Sequence, residues 1–202
     1  MPDDTSPHLH GAGAEGPPRV AVVVGSTRPS RICPGIASWV LEAAQQESPL
    51  HYELIDLANI DLPFLDEPLK AALGQYRHEH TLAWSRLVSS YAGFVFVFPQ
   101  YNWGYPAPLK NALDFLYREW QSKPASCVTY GTRGGGKGAQ QLQGVLQGLH
   151  MRALEQHIEI VVTDDDVDDN WQLRDLEGLM RPYRPQVRTI DAQMVEALED
   201  TQ

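Results

Sequence analysis

Cysteine is scarce in this 202-residue chain, with Cys33 and Cys127 its only two. That argues against a disulfide-stapled scaffold and for a reducing, cytoplasmic setting. Long apolar runs are missing as well: none approaches the roughly 18–20 residues of a membrane span, so no membrane partner is expected. Positive charge is in short supply. A formal net charge of −10 repels phosphate backbones on average and argues against nucleic-acid binding, which leaves the local clusters of arginine conspicuous. No Ser–His–Asp or Cys–His set suggests nucleophilic catalysis. The opening stretch MPDDTSPHLHGAGAEGPP lacks a hydrophobic segment and is not expected to be a signal peptide. It reads as a disordered tail over residues 1–18, with His8 and His10 as ordinary tail histidines; no metal site is expected. Residues 19–202 read as a single domain.

What the chain does have is alternation. Short β-rich runs, RVAVVV (19–24), YELIDL (52–57), FVFVF (94–98), SCVTY (126–130) and HIEIVV (157–162), are separated by segments with helical spacing. Ile36, Val40, Leu41 and Ala44 form one apolar stripe, and Trp84, Leu87, Val88 and Tyr91 a second. Leu109, Ala112, Leu113 and Leu116 form a third, Leu142, Val145, Leu146 and Leu149 a fourth, and residues 187–198 a fifth. Strands alternating with helices imply right-handed βαβ units and a parallel sheet covered on both faces. The first and third runs are apolar almost throughout, as fully buried strands are, whereas the second and fifth alternate as edge strands do. This fits a five-stranded α/β sheet of order 2-1-3-4-5, and a phosphate-loop order with the same edges fits as well.

Ligands of such sheets bind at the carboxyl ends of the strands, so the loops after strands 1, 3 and 4 matter most. GSTRPSRICPG (25–35) combines a turn glycine, hydroxyls at Ser26, Thr27 and Ser30, two arginines and Pro34 in the first turn of the next helix. It suits a monophosphate cradle, or equally a solvated basic loop with a helix cap. Only one glycine of a dinucleotide fingerprint is present, so Asp56 carries little weight as a ribose ligand. PQYNWGYPAPLKNALDFLY (99–117) crowds Tyr101, Trp103 and Tyr105 onto one loop, with Asn102 and Gly104 suited to left-handed backbone. Those rings suit a flat ligand, or else a helix cover or subunit contact. YGTRGGGKGAQ (130–140) follows the G-x-x-x-x-G-K pattern until Gly138 replaces the expected Ser or Thr. Without that hydroxyl there is no phosphate-loop Mg²⁺ ligand. The glycines instead permit close backbone approach to a ring, while Gly138, Gly144 and Gly148 suit close helix packing.

The stretches GSTRPSR, FPQYNWGYPAPLKNALDFLYREW and TYGTRGGGKGAQQLQ, in this order, resemble the NADPH-dependent FMN reductase family, and within it the small flavodoxin-like NAD(P)H:quinone reductases. The resemblance runs from about Arg19 to Ile160. It implies a flavodoxin-like three-layer sandwich, bound FMN, NADPH or NADH as co-substrate, and a homodimer with the helix after strand 3 near the subunit contact. It implies that Ser26, Arg28, Arg31 and Ile32 hold the FMN phosphate. Pro99, Gln100, Tyr101, Asn102 and Trp103 would line the ribityl chain and one ring edge, and Tyr130, Gly131, Thr132, Arg133 and Gly134 the other side. The implied activity is ping-pong transfer of two electrons from NAD(P)H through FMN to a quinone, flavin or similar small acceptor. Arg133 has a second reading, as a partner of the NADPH phosphate. Two alternatives stay open: a flavin-binding electron carrier or redox-sensing interaction protein, and a reductase dedicated to one biosynthetic metabolite.

Three features remain. DDDVDD (164–169) does not match calcium-loop spacing and reads as a solvated acidic loop capping a helix near Trp171. His78 and His80 flank Glu79 on a helical approach and read as surface residues. Cys33, at a helix N-terminus beside two arginines, is either a thiol of lowered pKa or a small packed residue.

Overall fold

A computed structural model describes residues 16–200. His8, His10 and most of the expected tail therefore lie outside the described residues. Pro18, its last residue, already accepts a hydrogen bond from the His51 amide.

Each β-rich run becomes a parallel strand: β1 (Arg19–Val24), β2 (His51–Asp56), β3 (Gly93–Pro99), β4 (Pro124–Gly131) and an edge made of β5 (Arg152–Ala153) and β6 (Ile158–Val161). The sheet order is β2-β1-β3-β4-β5, with β6 also on β4. The expected fifth strand is β6, and the two-residue β5, outside any β-rich run, brings the sheet to six strands among the described residues. β5 pairs with the start of β4 and β6 with its end. Between them the ladder is interrupted, and the Ser126 hydroxyl donates to the Gln156 carbonyl at 2.7 Å where a backbone bond would otherwise stand.

Strand alternation builds two cores. Val20, Val22 and Val24 face one side with Val95, Val97 and Val128. There they meet α1 (Cys33–Gln45), α6 (Leu176–Met180) and α7 (Arg184–Glu199). Ala21 and Val23 face the other side with Phe94, Phe96 and Phe98. That side is covered by α3 (Glu79–Ser89), α4 (Ala107–Asp114) and α5 (Gly136–Gly148), while the short α2 (Leu57–Ile60) follows β2. Each of the three phenylalanines is fully buried, contributing about 1.5–3 kcal/mol in transfer terms. Tyr91 and Leu116 lie just beyond the ends of α3 and α4, yet both are buried. Pro34 occupies the first turn of α1, where no N–H is needed. Gly138 packs close, since a Cβ there would meet Phe98 at 3.3 Å; Gly144 and Gly148 face open space, contrary to the packing role expected of them.

The chain leaves β1 for β2 on one side and returns for β3 on the other. Their carboxyl ends therefore open a crevice at the switch point.

Candidate active site

Three loops meet at that crevice. After β1, the Gly25 amide donates to the Val97 carbonyl at 2.8 Å. A Cβ on Gly25 would lie 3.1 Å from Leu109, Phe98 and the Val97 carbonyl, so only glycine lets the loop leave the sheet this tightly. Ser26 is 1% exposed, with its hydroxyl 3.2 Å from that of Tyr101. Beyond it, the amides of Thr27, Arg28, Ser30 and Ile32 have no acceptor among the described residues. Unbonded amides at a helix start form a natural anion cradle.

The two arginines of this loop part company. Arg31 is held by Asp56, Nη2 to Oδ2 at 2.5 Å, with both side chains largely buried; Asp56 also accepts from the Ala58 amide. The Arg31 Nε is buried and has no hydrogen-bond partner among the described residues. Arg28 is exposed and makes no ion pair among the described residues, its Nη2 reaching only the Ser30 carbonyl at 3.4 Å. Asp56, set aside as a ribose ligand, is here the anchor of Arg31.

After β3, Tyr101 and Gly104 exchange backbone bonds of 2.8 and 2.9 Å. Asn102 and Trp103, at φ 47° and 70°, take the two left-handed positions of a type I′ turn. Expectation placed Gly104 rather than Trp103 in that geometry; Gly104 instead makes room for Gln141, whose Oε1 would lie 2.9 Å from a Cβ there. Trp103 is 68% exposed. Tyr105 leaves the group of three rings, since it packs edge-on against Phe98 and burial pushes its hydroxyl up to about 12. Gln100 donates from its amide to the Tyr130 carbonyl and accepts at Oε1 from the Gly138 amide, fastening this loop to α5.

After β4, the chain turns through Gly134 (φ 82°) and Gly135 (φ 92°). The Gly134 amide donates to the Gly131 carbonyl, and the Thr129 hydroxyl donates to the Gly134 carbonyl at 2.8 Å. Gly134 is therefore buried and internally bonded, while the exposed amides of Thr132 and Arg133 find no acceptor among the described residues. Below the loop Cys33 donates to the Val97 carbonyl. Burial pushes its thiol up to about 11 and raises the Tyr130 hydroxyl well above its usual range. The lowered pKa considered for Cys33 does not arise, because desolvation outweighs the nearby arginine.

A cavity of about 220 Å³ brings together Arg28, Ile32, Pro99, Gln100, Tyr101, Tyr130, Gly131 and Thr132 of the expected site. Ser26, Arg31, Asn102, Trp103, Arg133 and Gly134 are not on its walls. A neighbouring cavity of about 430 Å³ has Gln100 in common and is lined by Trp103, Arg133, Lys137, Gln140 and Glu159. The first cavity is completed by Val162, Thr163, Asp164, Val167 and Trp171, which sequence reasoning missed. The acidic loop caps no helix at Trp171, which sits in a turn. Asp166 and Thr163 form a capping box over residues 164–166, and α6 begins later, capped by Asp175. His78 stacks on His80, which meets Asp66 at 2.9 Å, far from these loops in sequence and contacts. Among the described residues no three His, Cys, Asp or Glu are grouped to hold a metal, and no helix is long and apolar enough to cross a membrane.

Unbonded amides, an unpaired arginine and a narrow apolar slot fit a phosphate-bearing planar ligand. The model of a family described as NADPH-dependent FMN reductase matches residues 18–163. An NAD(P)H-dependent FMN reductase of Schizosaccharomyces pombe is 49% identical over 137 residues, covering 67% of this chain and 68% of that protein. An NADPH:quinone oxidoreductase of Arabidopsis thaliana is 32% identical over 139 residues, covering 65% and 69%. In fold, the flavoenzyme NAD(P)H:(acceptor) oxidoreductase FerB of Paracoccus denitrificans aligns with a TM-score of 0.68 at 21% identity, over 89% of this chain and 98% of that one.

Proposed function

This chain belongs to the NADPH-dependent FMN reductase family, and from that premise we propose that it binds FMN at the β1–β3 switch point and oxidises NAD(P)H there on behalf of a quinone or flavin acceptor. The observation that carries this reading is the convergence of three loops, each with unbonded amides or exposed rings, on one slot. The amides of Thr27, Arg28, Ser30 and Ile32 hold the phosphate, and Arg28 supplies its counter-charge. Arg31, its charge already committed to Asp56, stiffens the loop. Tyr101 and Tyr130 border the ribityl chain and ring. The Thr132 and Arg133 amides present donors where negative charge gathers on a reduced ring. Bound FMN supplies the chemistry, accepting two electrons from a reduced nicotinamide and passing them to the second substrate.

The adjoining cavity supports a preference for NADPH. Arg133 and Lys137 make no ion pair among the described residues, Trp103 offers a flat face, and the one carboxylate, Glu159, already meets His157 at 3.1 Å. An apolar groove supports a homodimer: Leu57, Leu62, Phe64 and Pro108 line about 410 Å³ beside α4, and Phe64 is 87% exposed. Two free buried thiols suit a reducing compartment such as the cytoplasm.

Purified protein is expected to be yellow and to bleach anaerobically on adding NADPH, and less readily on adding NADH. Protein that stays colourless in excess FMN would refute the reading, and flavin reduced only by a partner protein would identify an electron carrier instead. Arg28→Ala is expected to weaken FMN binding about 10- to 100-fold, the loss typical of a charge-assisted contact; titration of flavin fluorescence measures it.

A further inference from the structure

Trp171 belongs to neither core. It is 60% exposed, absent from both hydrophobic clusters, and its backbone sits at φ 60°, where a bulky side chain is a genuine outlier. Yet the loop that carries it is closely fastened. Asp168 Oδ1 accepts from the amides of Asn170 and Gln172 at 2.8 and 2.9 Å. The Trp171 amide donates to the Asp168 carbonyl at 2.9 Å, and Val167 bridges Leu173. Arg174 closes the base, donating from Nε to the Val167 carbonyl at 2.7 Å. A strained backbone fastened this closely, carrying an exposed indole, calls for an explanation in what surrounds that indole.

It faces Arg28. The indole forms part of the wall of the 220 Å³ slot, and with Arg28, Pro29 and Ser30 it also bounds an outer cleft of about 360 Å³. The loop reaches this point because α6 and α7 pack on the same face of the sheet as α1. It also lies beyond residue 163, where the family match ends.

We propose that Trp171 is a further flavin-contact residue. Its indole closes the phosphate and ribityl end of the slot against Arg28, so that FMN stays in place as a resident cofactor instead of exchanging with free flavin between turnovers. This rests on the flavin reading above and adds to it a residue that slows release.

The test follows FMN release from loaded protein after rapid dilution, read by recovery of flavin fluorescence, together with the melting temperature of the apoprotein. Trp171→Gly is expected to release FMN about tenfold faster, the scale of one aromatic contact. Its apoprotein should melt at the same temperature or higher, because glycine takes this φ without strain. Trp171→Phe, which keeps an aromatic face, should restore slow release. Slow release from the glycine variant, or a lowered apoprotein melting temperature, overturns the inference and leaves the flavin reading intact. Wild-type protein that binds no FMN overturns both.

Discussion

Arg19, Glu53 and Tyr91 tie the start of β1 to β2 and to the entry of β3. Arg19 reaches Glu53 through Nε at 2.9 Å, Tyr91 donates to the same carboxylate at 2.8 Å, and the guanidinium lies 4.5 Å over the Tyr91 ring. The Arg19 hydrogen bond, foremost, pulls Glu53 down from 4.5 to about 2. A carboxyl more acidic in the folded than in the unfolded chain stabilises the fold above the unfolded value, and that contribution is lost as pH falls from 4.5 towards 2. Urea midpoints are therefore expected to decline through this window, and Glu53→Gln to decline less steeply; identical slopes would refute the assignment. Single residues also mark what sequence leaves hidden. Arg28 and Arg31 look alike in GSTRPSR. Only Asp56, 25 positions away, separates them into an open cation and a buried anchor.

At the scale of elements, the β4–α5 turn depends on Gly135. At φ 92°, with a Cβ position 2.7 Å from the Thr129 hydroxyl oxygen, it allows no side chain without movement. Gly135→Ala is expected to cost about 1–3 kcal/mol, read from thermal or urea unfolding, and an unchanged midpoint would count against this geometry. Most elements were legible because their periods are strong. Strand composition separates central from edge strands but fits the order 2-1-3-4-5 and a phosphate-loop order alike; the resemblance of the three loops is what favours the order that the sheet has. The split edge was not legible, since β5 spans two residues with no pattern to read, and the Ser126–Gln156 bond that spans the gap is a tertiary contact. Residue type points to Asn102 and Gly104 for the left-handed positions after β3, yet Trp103 rather than Gly104 holds the second one, a case where the tertiary fit of Gln141 against Gly104 outweighs local preference. The loop carrying Trp171 was invisible for the same reason: it joins the slot only through helix packing more than a hundred residues from Arg28.

At the scale of the molecule, the exposed Phe64 beside α4 is a prediction of its own. Wild-type protein is expected to elute as a homodimer under light scattering, and Phe64→Asp to shift it towards monomer by placing a charge in an apolar contact. A monomeric wild type would refute this. The groove has Thr27 on its wall and the slot has Arg28, neighbours in one loop, so the proposed association and the proposed cofactor binding would share that loop.

The two cysteines bear on how such a protein survives its own chemistry. Quinones are electrophiles that add to thiolates, and the proposed reaction delivers them to a slot lined by Ile32, the chain neighbour of Cys33. Burial holds that sulfur near 11 and Cys127 near 12, so both remain thiols at neutral pH, with Cys33 turned into the Val97 carbonyl. The same sheet that opens the slot at its carboxyl edge buries both cysteine sulfurs, so on the proposed reading protection of the thiols from the acceptor belongs to the core rather than to any residue in the slot.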